Sequence, residues 1–274
     1  MTIGWLGEQI AMPPEGIACA QQFLPCAKET DAFLRLLEKD EKAFLEKVES
    51  SEHANQLALA LFMLYAAQQW PKWKEMGLSK QIYIDTMRDL TLWYFECMRQ
   101  TGKPGVLDWG WLLLALKGRV LRLGRLQYEP WKTKECITAG GKSFLGGTNV
   151  LKVHIPADGK LTPVLVQDSL LQACEFFQGG NFVLFHCHSW LLSPKLDELL
   201  TADSNILQFR NLFEIYEEDF SYRQAEERVF GYIGEDVEQY PETNQLQRKL
   251  KQYLRQGGCI GMGKGIIPFP ITAM

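Results

Sequence analysis

The sequence predicts an α+β protein with an all-helical N-terminal domain followed by a mixed β-sheet flanked by helices. Up to about residue 118, apolar residues recur with the spacing of helices that bury one face. Beyond that point, short alternating or apolar runs are separated by glycine- and proline-containing turns, as in a sheet. We therefore predict two domains, residues 1–118 and 119–274.

Composition and charge exclude several classes of protein. The 274 residues are 46% hydrophobic and 23% charged, which is typical of a folded globular chain. A net charge of -4 gives no basic field for nucleic acid or an anionic membrane. The longest apolar run, Leu57–Ala67, is too short to span a bilayer, and the N-terminus lacks the basic start of a signal peptide. The sequence does not indicate an oligomeric state.

The cysteines indicate a reducing compartment. There are seven, an odd number, and they are widely spaced without a Cys-x-x-Cys pair. Neither a disulfide framework nor a zinc ribbon fits this spacing. We expect a cytoplasmic protein.

Four helical segments are predicted in the first half. The first starts at Thr30 as N-cap, and the second, Glu52–Gln69, is apolar on several sides and should be buried. Ser79 should cap the third, which ends before Gly102, and Asp108 should cap the fourth.

The second half predicts alternating strands and short helices. Helices should start at Thr162-Pro163, at Ser193-Pro194 and at Thr243, because a capping residue or a proline at the first helical position precedes an apolar pattern. The predicted strands span residues 120–130, 149–155, 182–190, 206–216 and 228–233, with a glycine-rich strand from Cys259 to Phe269.

The glycines of that last strand are spaced like a dinucleotide-binding loop. Such a loop follows a strand and opens a helix, whereas here a helix precedes and a proline-ended strand follows. We attribute the glycines to close strand packing or a β-bulge.

Three histidines form the main chemical candidate. His186 and His188 are two residues apart on a predicted strand and share one face, with Cys187 on the other, and His154 lies on a neighbouring strand. They could include a general base, they could ligate a metal, or they could be structural histidines bonded to backbone and Ser189. Cys187 points away from both neighbouring histidines, which favours a buried packing role over that of a nucleophile.

The turn that leads to the predicted Thr162 helix could bind a phosphate. A helix N-terminus offers backbone N–H groups and a partial positive charge, and Lys160 would add a full charge. The alternative is a plain turn at Asp158-Gly159 followed by an ordinary cap.

Several segments together resemble a bacterial family of acyltransferase-domain proteins with a helical N-terminal domain and a GNAT-like C-terminal domain. The segments that carry the resemblance are Arg122–Glu129, His154–Pro156, the Ser169–Phe177 helix, Cys187–Leu192, Ser204–Ile206 and the closing glycine-rich strand.

The resemblance implies that a CoA or acyl-CoA thioester is bound between two splayed central strands. The acyl group would pass by direct attack to an amine or hydroxyl of a small-molecule or peptide acceptor. His188 or His186 would be the general base, with His154 nearby, and Ser189 would be an acid or an orienting group. No metal would be required. The implied donor-binding residues are Val153 and Ile155 on the strand and Gly159, Lys160, Leu161 and Thr162 at the helix start.

One departure from the family pattern leaves a second donor open. The usual GNAT phosphate cradle is an Arg/Gln-x-x-Gly-x-Gly/Ala run, and the segment here is Ala157–Thr162 with a single glycine. An acyl carrier protein, whose phosphopantetheine lacks the nucleotide, is the alternative donor. Two other functions also remain at this point: a non-catalytic module that binds a thioester or peptide, and a metal-dependent hydrolase that uses the histidines.

Overall fold

The computed structural model describes residues Met1–Ile271, in which the chain forms two compact units. One unit comprises Met1–Leu123 with Pro156–Asp158, and the other comprises Gly124–Ile155 with the residues from Gly159 onward. The predicted fold class is confirmed, with a helical part followed by a mixed sheet and flanking helices. No helix in the described part of the chain combines the length and the apolar character needed to cross a membrane.

The N-terminal unit is built around one long helix. That helix, α5, is buried along its middle from Leu57 to Met63, as predicted, and contacts each of the other helices of the unit, α1 to α4 and α6 to α8. The unit consists of α1 (Ile3–Gln9), α2 (Pro14–Gln22), α3 (Ala27–Lys39), α4 (Glu41–Glu49), α5 (Ala54–Glu75), α6 (Lys80–Met87), α7 (Asp89–Thr101), α8 (Trp109–Leu116) and the short strand β1 (Leu121–Leu123).

Two of the predicted caps are present. The Ser79 Oγ accepts a hydrogen bond from the Ile82 backbone N–H at 3.2 Å, and the Asp108 Oδ1 accepts one from Trp111 N–H at 3.2 Å. Each satisfies a first-turn donor that the helix itself leaves unpaired.

The predicted cap at Thr30 is wrong. The helix starts at Ala27 after Cys26, and the Thr30 N–H already bonds to the Cys26 carbonyl at 2.9 Å. The Thr30 hydroxyl donates to the Pro25 carbonyl at 3.0 Å. Thr30 therefore lies inside the first turn of α3, and its hydroxyl connects the helix to the preceding loop by a hydrogen bond.

The C-terminal unit contains a mixed sheet whose strands within this unit follow the order β2-β5-β6-β8-β7. Only the β5–β6 pair is parallel, and β2–β5, β6–β8 and β7–β8 are antiparallel. The strands are β2 (Leu126–Lys132), β3 (Ile137–Ala139), β4 (Lys142–Phe144), β5 (Asn149–His154), β6 (Leu184–Ser189), β7 (Glu214–Asp219) and β8 (Met262–Pro268), and the helices are α9 (Pro163–Phe176), α10 (Asn205–Arg210), α11 (Gln224–Phe230) and α12 (Gln245–Arg255).

The β3–β4 hairpin packs on one face of this sheet, and α9 packs on the other. The hairpin β3–β4 contributes Ile137 and Ala139 to an apolar cluster with Val150, Leu184 and Ile266 of the sheet. On the other side, α9 is bonded to β2 by a buried serine. The Ser169 Oγ accepts from the Leu126 N–H at 3.0 Å and lies 3.0 Å from the Tyr128 hydroxyl.

The predicted strand over 206–216 is wrong. Its first half is helix α10, which buries Leu207 and Phe209. The helix starts after Ser204, and the Ser204 Oγ accepts a hydrogen bond from the Ile206 N–H at 3.3 Å. Its last residues belong to β7, which starts at Glu214. A short apolar run does not distinguish a strand from a buried helix, and here the serine cap decides for the helix.

The predicted strand over 228–233 is also wrong. These residues include the end of α11, which Gly231 terminates in the left-handed conformation at φ 88°. A glycine directly after a helix is a common stop signal, because only glycine adopts this conformation without steric cost. The last helix, α12, starts one residue later than predicted, and Asn244 rather than Thr243 is its N-cap.

The glycine-rich terminal strand is present as β8, and its glycines mark close packing. A Cβ at Gly263 would lie 2.3 Å from the Leu192 carbonyl oxygen, and one at Gly265 would lie 2.8 Å from the Ile215 side chain. The β7–β8 register also shifts between Ile215 and Glu217. The extra residue at this shift is Tyr216 of β7, so close packing, one of the two explanations expected from the sequence, accounts for the glycines of β8.

Candidate active site

A pocket of about 410 Å³ lies within the C-terminal unit on one face of the sheet, and three histidines line it. His186 and His188 come from β6 and His154 comes from the end of β5. Paired positions share a face in a sheet, and the register pairs Lys152 with His186 and His188 with Lys264. His186 and His188 thus share one face, as predicted, and His154, two residues beyond Lys152, lies on the same face.

Strands β5 and β6 separate beside this pocket. Their paired positions run from Val150–Leu184 to Lys152–His186, whereas β5 continues to His154 and β6 to Ser189. Val153, which lines the pocket, lies just past the last pair. The β5–β6 pairing therefore ends beside the pocket.

His154 is bonded to a carboxylate. Its Nε2 lies 2.9 Å from Glu129 Oε2, and this hydrogen bond, with Lys152 at 3.7 Å, holds the pKa of the Glu129 carboxyl below its usual value. The Lys152 ammonium also lies 4.2 Å from the centre of the Trp131 ring. Glu129 and Lys152 stand opposite each other in the β2–β5 register, which explains why their charged groups lie close together.

His186 is the most deeply buried of the three, with 7% of its surface exposed. Burial lowers its pKa to about 4, so the imidazole is neutral near pH 7. Its Nε2 lies 2.8 Å from the hydroxyl of Tyr216, whose pKa burial raises to about 12. Within the described residues, the buried Nδ1 of His186 has no hydrogen-bond partner. With a pKa of about 4, His186 is a weak proton acceptor at neutral pH.

His188 is half-buried and forms a dyad with Asp219. Its Nε2 lies 3.1 Å from Asp219 Oδ2, while the other carboxylate oxygen accepts from the Ser221 N–H at 2.8 Å. Burial lowers the pKa of His188, against the opposing pull of Asp219. The Ser221 hydrogen bonds lower the pKa of Asp219. The result is a neutral imidazole held in place by an ionised carboxylate.

Ser189 does not join the histidines. It occupies the opposite face of β6, together with Cys187, and its Oγ accepts from the Leu191 N–H at 3.2 Å, where it caps the short helix Trp190–Leu192. Cys187 is fully buried, and burial raises the pKa of its thiol, in agreement with the packing role predicted for it.

The predicted phosphate-binding segment is held by an arginine that the sequence did not single out. Within the C-terminal unit, Arg125 donates from Nη2 to the Gly159 carbonyl at 2.7 Å and from Nε to the Lys160 carbonyl at 3.1 Å. Thr162 is the N-cap of α9, as predicted, but its side chain makes no capping hydrogen bond. Leu161 lines a separate, mainly apolar pocket of about 190 Å³ with Phe209 and other residues of α9 and α10.

Asp158 belongs to the N-terminal unit and is paired there. Arg122 Nη1 donates to its Oδ2 at 2.6 Å and Nη2 to its Oδ1 at 3.0 Å, in the two-pronged geometry that suits arginine and carboxylate.

The residues missed from sequence are the partners of the histidines. Tyr216 and Asp219 were not recognised because the prediction of a single strand over 206–216 obscured where β7 starts. Ile155 was predicted at the donor site and does not line the larger pocket. Among residues 1–271, no group of three or more His, Cys, Asp or Glu side chains is arranged to hold a metal. Instead, each of the three histidines has its own polar partner.

The low pKa of His186 gives a prediction about stability. Between pH 6.5 and about 4, unfolded His186 binds a proton that the folded form excludes, so the free energy of unfolding should fall as the pH falls. The full shift corresponds to about 3 kcal/mol at most. Urea unfolding across this pH range should show a shallower decline for His186→Gln than for the unchanged protein. If the free energy of unfolding declined equally in both proteins, the low pKa assigned to folded His186 would be contradicted.

The mixed sheet with separated central strands, preceded by a helical unit, defines the class of GNAT-like acyltransferases. A sequence profile described as the N-acyltransferase N-terminal domain matches residues 1–118, and one described as the GNAT-like C-terminal domain matches residues 120–267. The chain belongs to this acyltransferase family, as the resemblance implied. No curated protein matches the sequence.

Solved structures of acyltransferases share the fold. One in complex with decanoyl-CoA and teicoplanin, and one with CoA and 10C-teicoplanin, each superpose with a TM-score of 0.79 and 23% identity, over 97% of this chain and 87% of the other. Another, in complex with decanoyl-CoA, has a TM-score of 0.71 and 23% identity, over 98% of this chain and all of the other.

Proposed function

We propose that the protein transfers an acyl group from an acyl-CoA thioester to an amine of a small-molecule or peptide acceptor, with His188 as the general base. The observation that carries the proposal is the His188–Asp219 dyad in the pocket beside the separated strands β5 and β6. The description of the N-terminal domain as that of an N-acyltransferase supports nitrogen as the attacking atom. Free cysteines support the expected cytoplasmic location.

The donor would lie with its pantetheine arm along β5. The backbone N–H groups around Val153 to Ile155, beyond the last β5–β6 pair, would bind the arm and polarise the thioester carbonyl. The diphosphate would bind at the first turn of α9, near Lys160, where the Thr162 side chain leaves the helix donors uncapped. The apolar pocket beside this turn fits the less polar parts of the arm.

The reaction needs no covalent intermediate. Neutral His188 accepts a proton from the acceptor amine while the nitrogen attacks the thioester carbonyl. Asp219 holds the imidazole in position and stabilises the cation that forms. The carbon–sulfur bond then breaks, and CoA leaves as a thiol with a proton from the imidazolium. Binding both substrates side by side supplies much of the rate enhancement.

His186 would have a different role from His188 in this site. Its low pKa and its bond to Tyr216 favour positioning over proton abstraction, although His186 and His188 are both candidates from sequence. His154, bonded to Glu129, would contact the acceptor or the donor at the pocket wall.

Native mass spectrometry with CoA, acetyl-CoA and longer acyl-CoAs tests the donor. A complex with one CoA thioester, followed by release of CoA thiol when amines are added, is the expected result. Binding without turnover in any amine panel would favour the non-catalytic module. Failure to bind any CoA thioester would contradict the CoA donor, and an acyl carrier protein would then be tested.

The Arg125 contacts give a prediction about donor binding. Replacing Arg125 with methionine keeps most of the apolar stem and removes the donors to the Gly159 and Lys160 carbonyls. Because charged hydrogen bonds contribute about 1.5–3 kcal/mol, we expect a loss of about tenfold or more in CoA affinity. Calorimetric titration measures it. Arg228→Met, at an exposed position of α11, is the matched control, and equal CoA affinities of the two variants would contradict the prediction.

A further inference from the structure

Three adjacent strands bring a lysine and a glutamate beside the His188–Asp219 dyad. In the strand order β6-β8-β7, His188 pairs with Lys264, and Lys264 pairs with Glu217. His188, Lys264 and Glu217 all line the pocket of the histidines. The Lys264 Nζ donates a hydrogen bond to Glu217 Oε1 at 2.6 Å. Lys264 therefore lies between the histidine of the dyad and a second carboxylate, on one face of the sheet.

The charge of Lys264 acts on both members of the dyad. Paired side chains on one face of a sheet have Cβ atoms about 5 Å apart, so the charges that they carry interact. Burial is the main cause of the low pKa of His188, and the Lys264 ammonium lowers this pKa further, whereas Asp219 and Glu217 act in the opposite direction. The same ammonium, after the Ser221 hydrogen bonds and His188, helps to lower the pKa of Asp219.

The other titratable and charged groups of the pocket come from several elements. They are His186 on β6, Lys152 and His154 on β5, Tyr216 on β7, and Lys134, Glu135 and Cys136 directly before β3. Lys152 and His154 both lie beside Glu129. Asp219, Lys264 and Glu217 exert the largest charge effects on His188.

We propose that Lys264 is a positioning residue for the acyl transfer, because its ammonium keeps His188 uncharged and able to take the acceptor proton, and that Glu217 limits this effect by pairing with Lys264. This inference rests on the proposed role of His188 as general base. The amine proton passes to His188 as the bond between nitrogen and the acyl carbon forms. An imidazolium near an ammonium releases its proton more readily, so this proton then passes to the CoA sulfur as the carbon–sulfur bond breaks.

An ion pair that only joins β7 to β8 would give a different result. The Glu217 side chain is 49% exposed, and exposed ion pairs contribute little to stability. Loss of a purely structural contact would change thermal stability in the same direction in a variant of either partner, and it would not shift the titration of His188. Removal of the charges should instead shift this titration in opposite directions.

The test is an NMR titration of the imidazole signals in the full-length protein, labelled with ¹³C and ¹⁵N at histidine and free of substrates. The chain has four histidines, so His188→Gln identifies the signal of His188. Lys264→Met should raise the midpoint of this titration and Glu217→Gln should lower it. Each shift should be about half a pH unit or more, the effect of a unit charge about 5 Å away even at the dielectric constant of water.

Matched controls remove the same charges outside the pocket. Lys195 and Glu198 form an exposed ion pair at 3.5 Å, and Lys195→Met and Glu198→Gln should leave the midpoint unchanged. Thermal unfolding verifies that each variant is folded. If Lys264→Met does not fold, Glu217→Gln alone still tests the sign of the shift.

A second measurement separates this inference from the function on which it rests. The acidic limb of kcat/KM, measured as CoA release from octanoyl-CoA with the most reactive amine of the panel, should move with the midpoint in both variants. A midpoint that stays fixed, or that moves in the same direction in both variants, overturns the role of Lys264 alone. A midpoint that moves as expected without the acidic limb overturns His188 as general base, and this inference with it.

Discussion

Replacing His188 with glutamine should lower kcat/KM for acyl transfer by about 10²- to 10⁴-fold, the usual contribution of a positioned general base. Glutamine keeps a polar side chain of similar length but cannot take up a proton. The affinity for acyl-CoA should change little, since the donor is assigned to β5 and the start of α9. Steady-state assays of CoA release, paired with titration of the acyl-CoA, measure both quantities.

The pH dependence gives this prediction a second measurement. Burial lowers the pKa of His188 below its ordinary value of 6.5, so activity should be level near pH 7 and fall at more acidic pH as the imidazole is protonated. The residual activity of His188→Gln should lack that acidic limb. Asp219→Asn should reduce kcat as well, because the imidazole loses its orienting carboxylate and the charge that stabilises its cation.

If His188→Gln kept full activity, His188 would not be the general base. His154, which has its own carboxylate partner in Glu129, would then be the next candidate, and His154→Gln provides the matched comparison. Under the present proposal, His154→Gln should affect the binding of substrates more than the chemical step.

Replacing Gly263 with valine should destabilise the protein by about 3 kcal/mol or more and can prevent folding altogether. A Cβ at this position would lie 2.3 Å from the Leu192 carbonyl oxygen and 2.6 Å from the carbonyl carbon. Backbone atoms cannot move aside as the end of a flexible side chain does. Since β8 pairs with both β6 and β7, the strain would spread to the strands that carry His188 and Asp219.

Urea unfolding of Gly263→Ala, the milder variant, quantifies the effect, because it adds the Cβ alone. Gly179→Ala is the matched control, since a Cβ at Gly179 meets no atom within 4 Å. We expect its free energy of unfolding to change by no more than about 0.5 kcal/mol. Equal stability of the two variants would contradict the packing argument.

Local signals in the sequence were sufficient for much of the fold. Ser79 and Asp108 cap helices because their short oxygens reach first-turn N–H groups, an interaction that spans three residues. Pro163 starts α9 for a similarly local reason, its fixed φ angle. The predictions at Thr30, over 206–216 and over 228–233 failed because another residue sets a helix end in each case. Cys26 and Ser204 precede the first two as N-caps, and Gly231 stops a helix within the third.

The sequence by itself determined that His186 and His188 share a face and that Cys187 lies on the other, because side chains alternate along a strand. It could not determine what each histidine contacts. The Glu129–His154 and His186–Tyr216 contacts join residues 25 and 30 positions apart, and the His188–Asp219 contact likewise joins different strands. Only the pairing of β2 with β5 and of β8 with β6 and β7 sets these distances, and burial between the strands then sets the pKa of each imidazole.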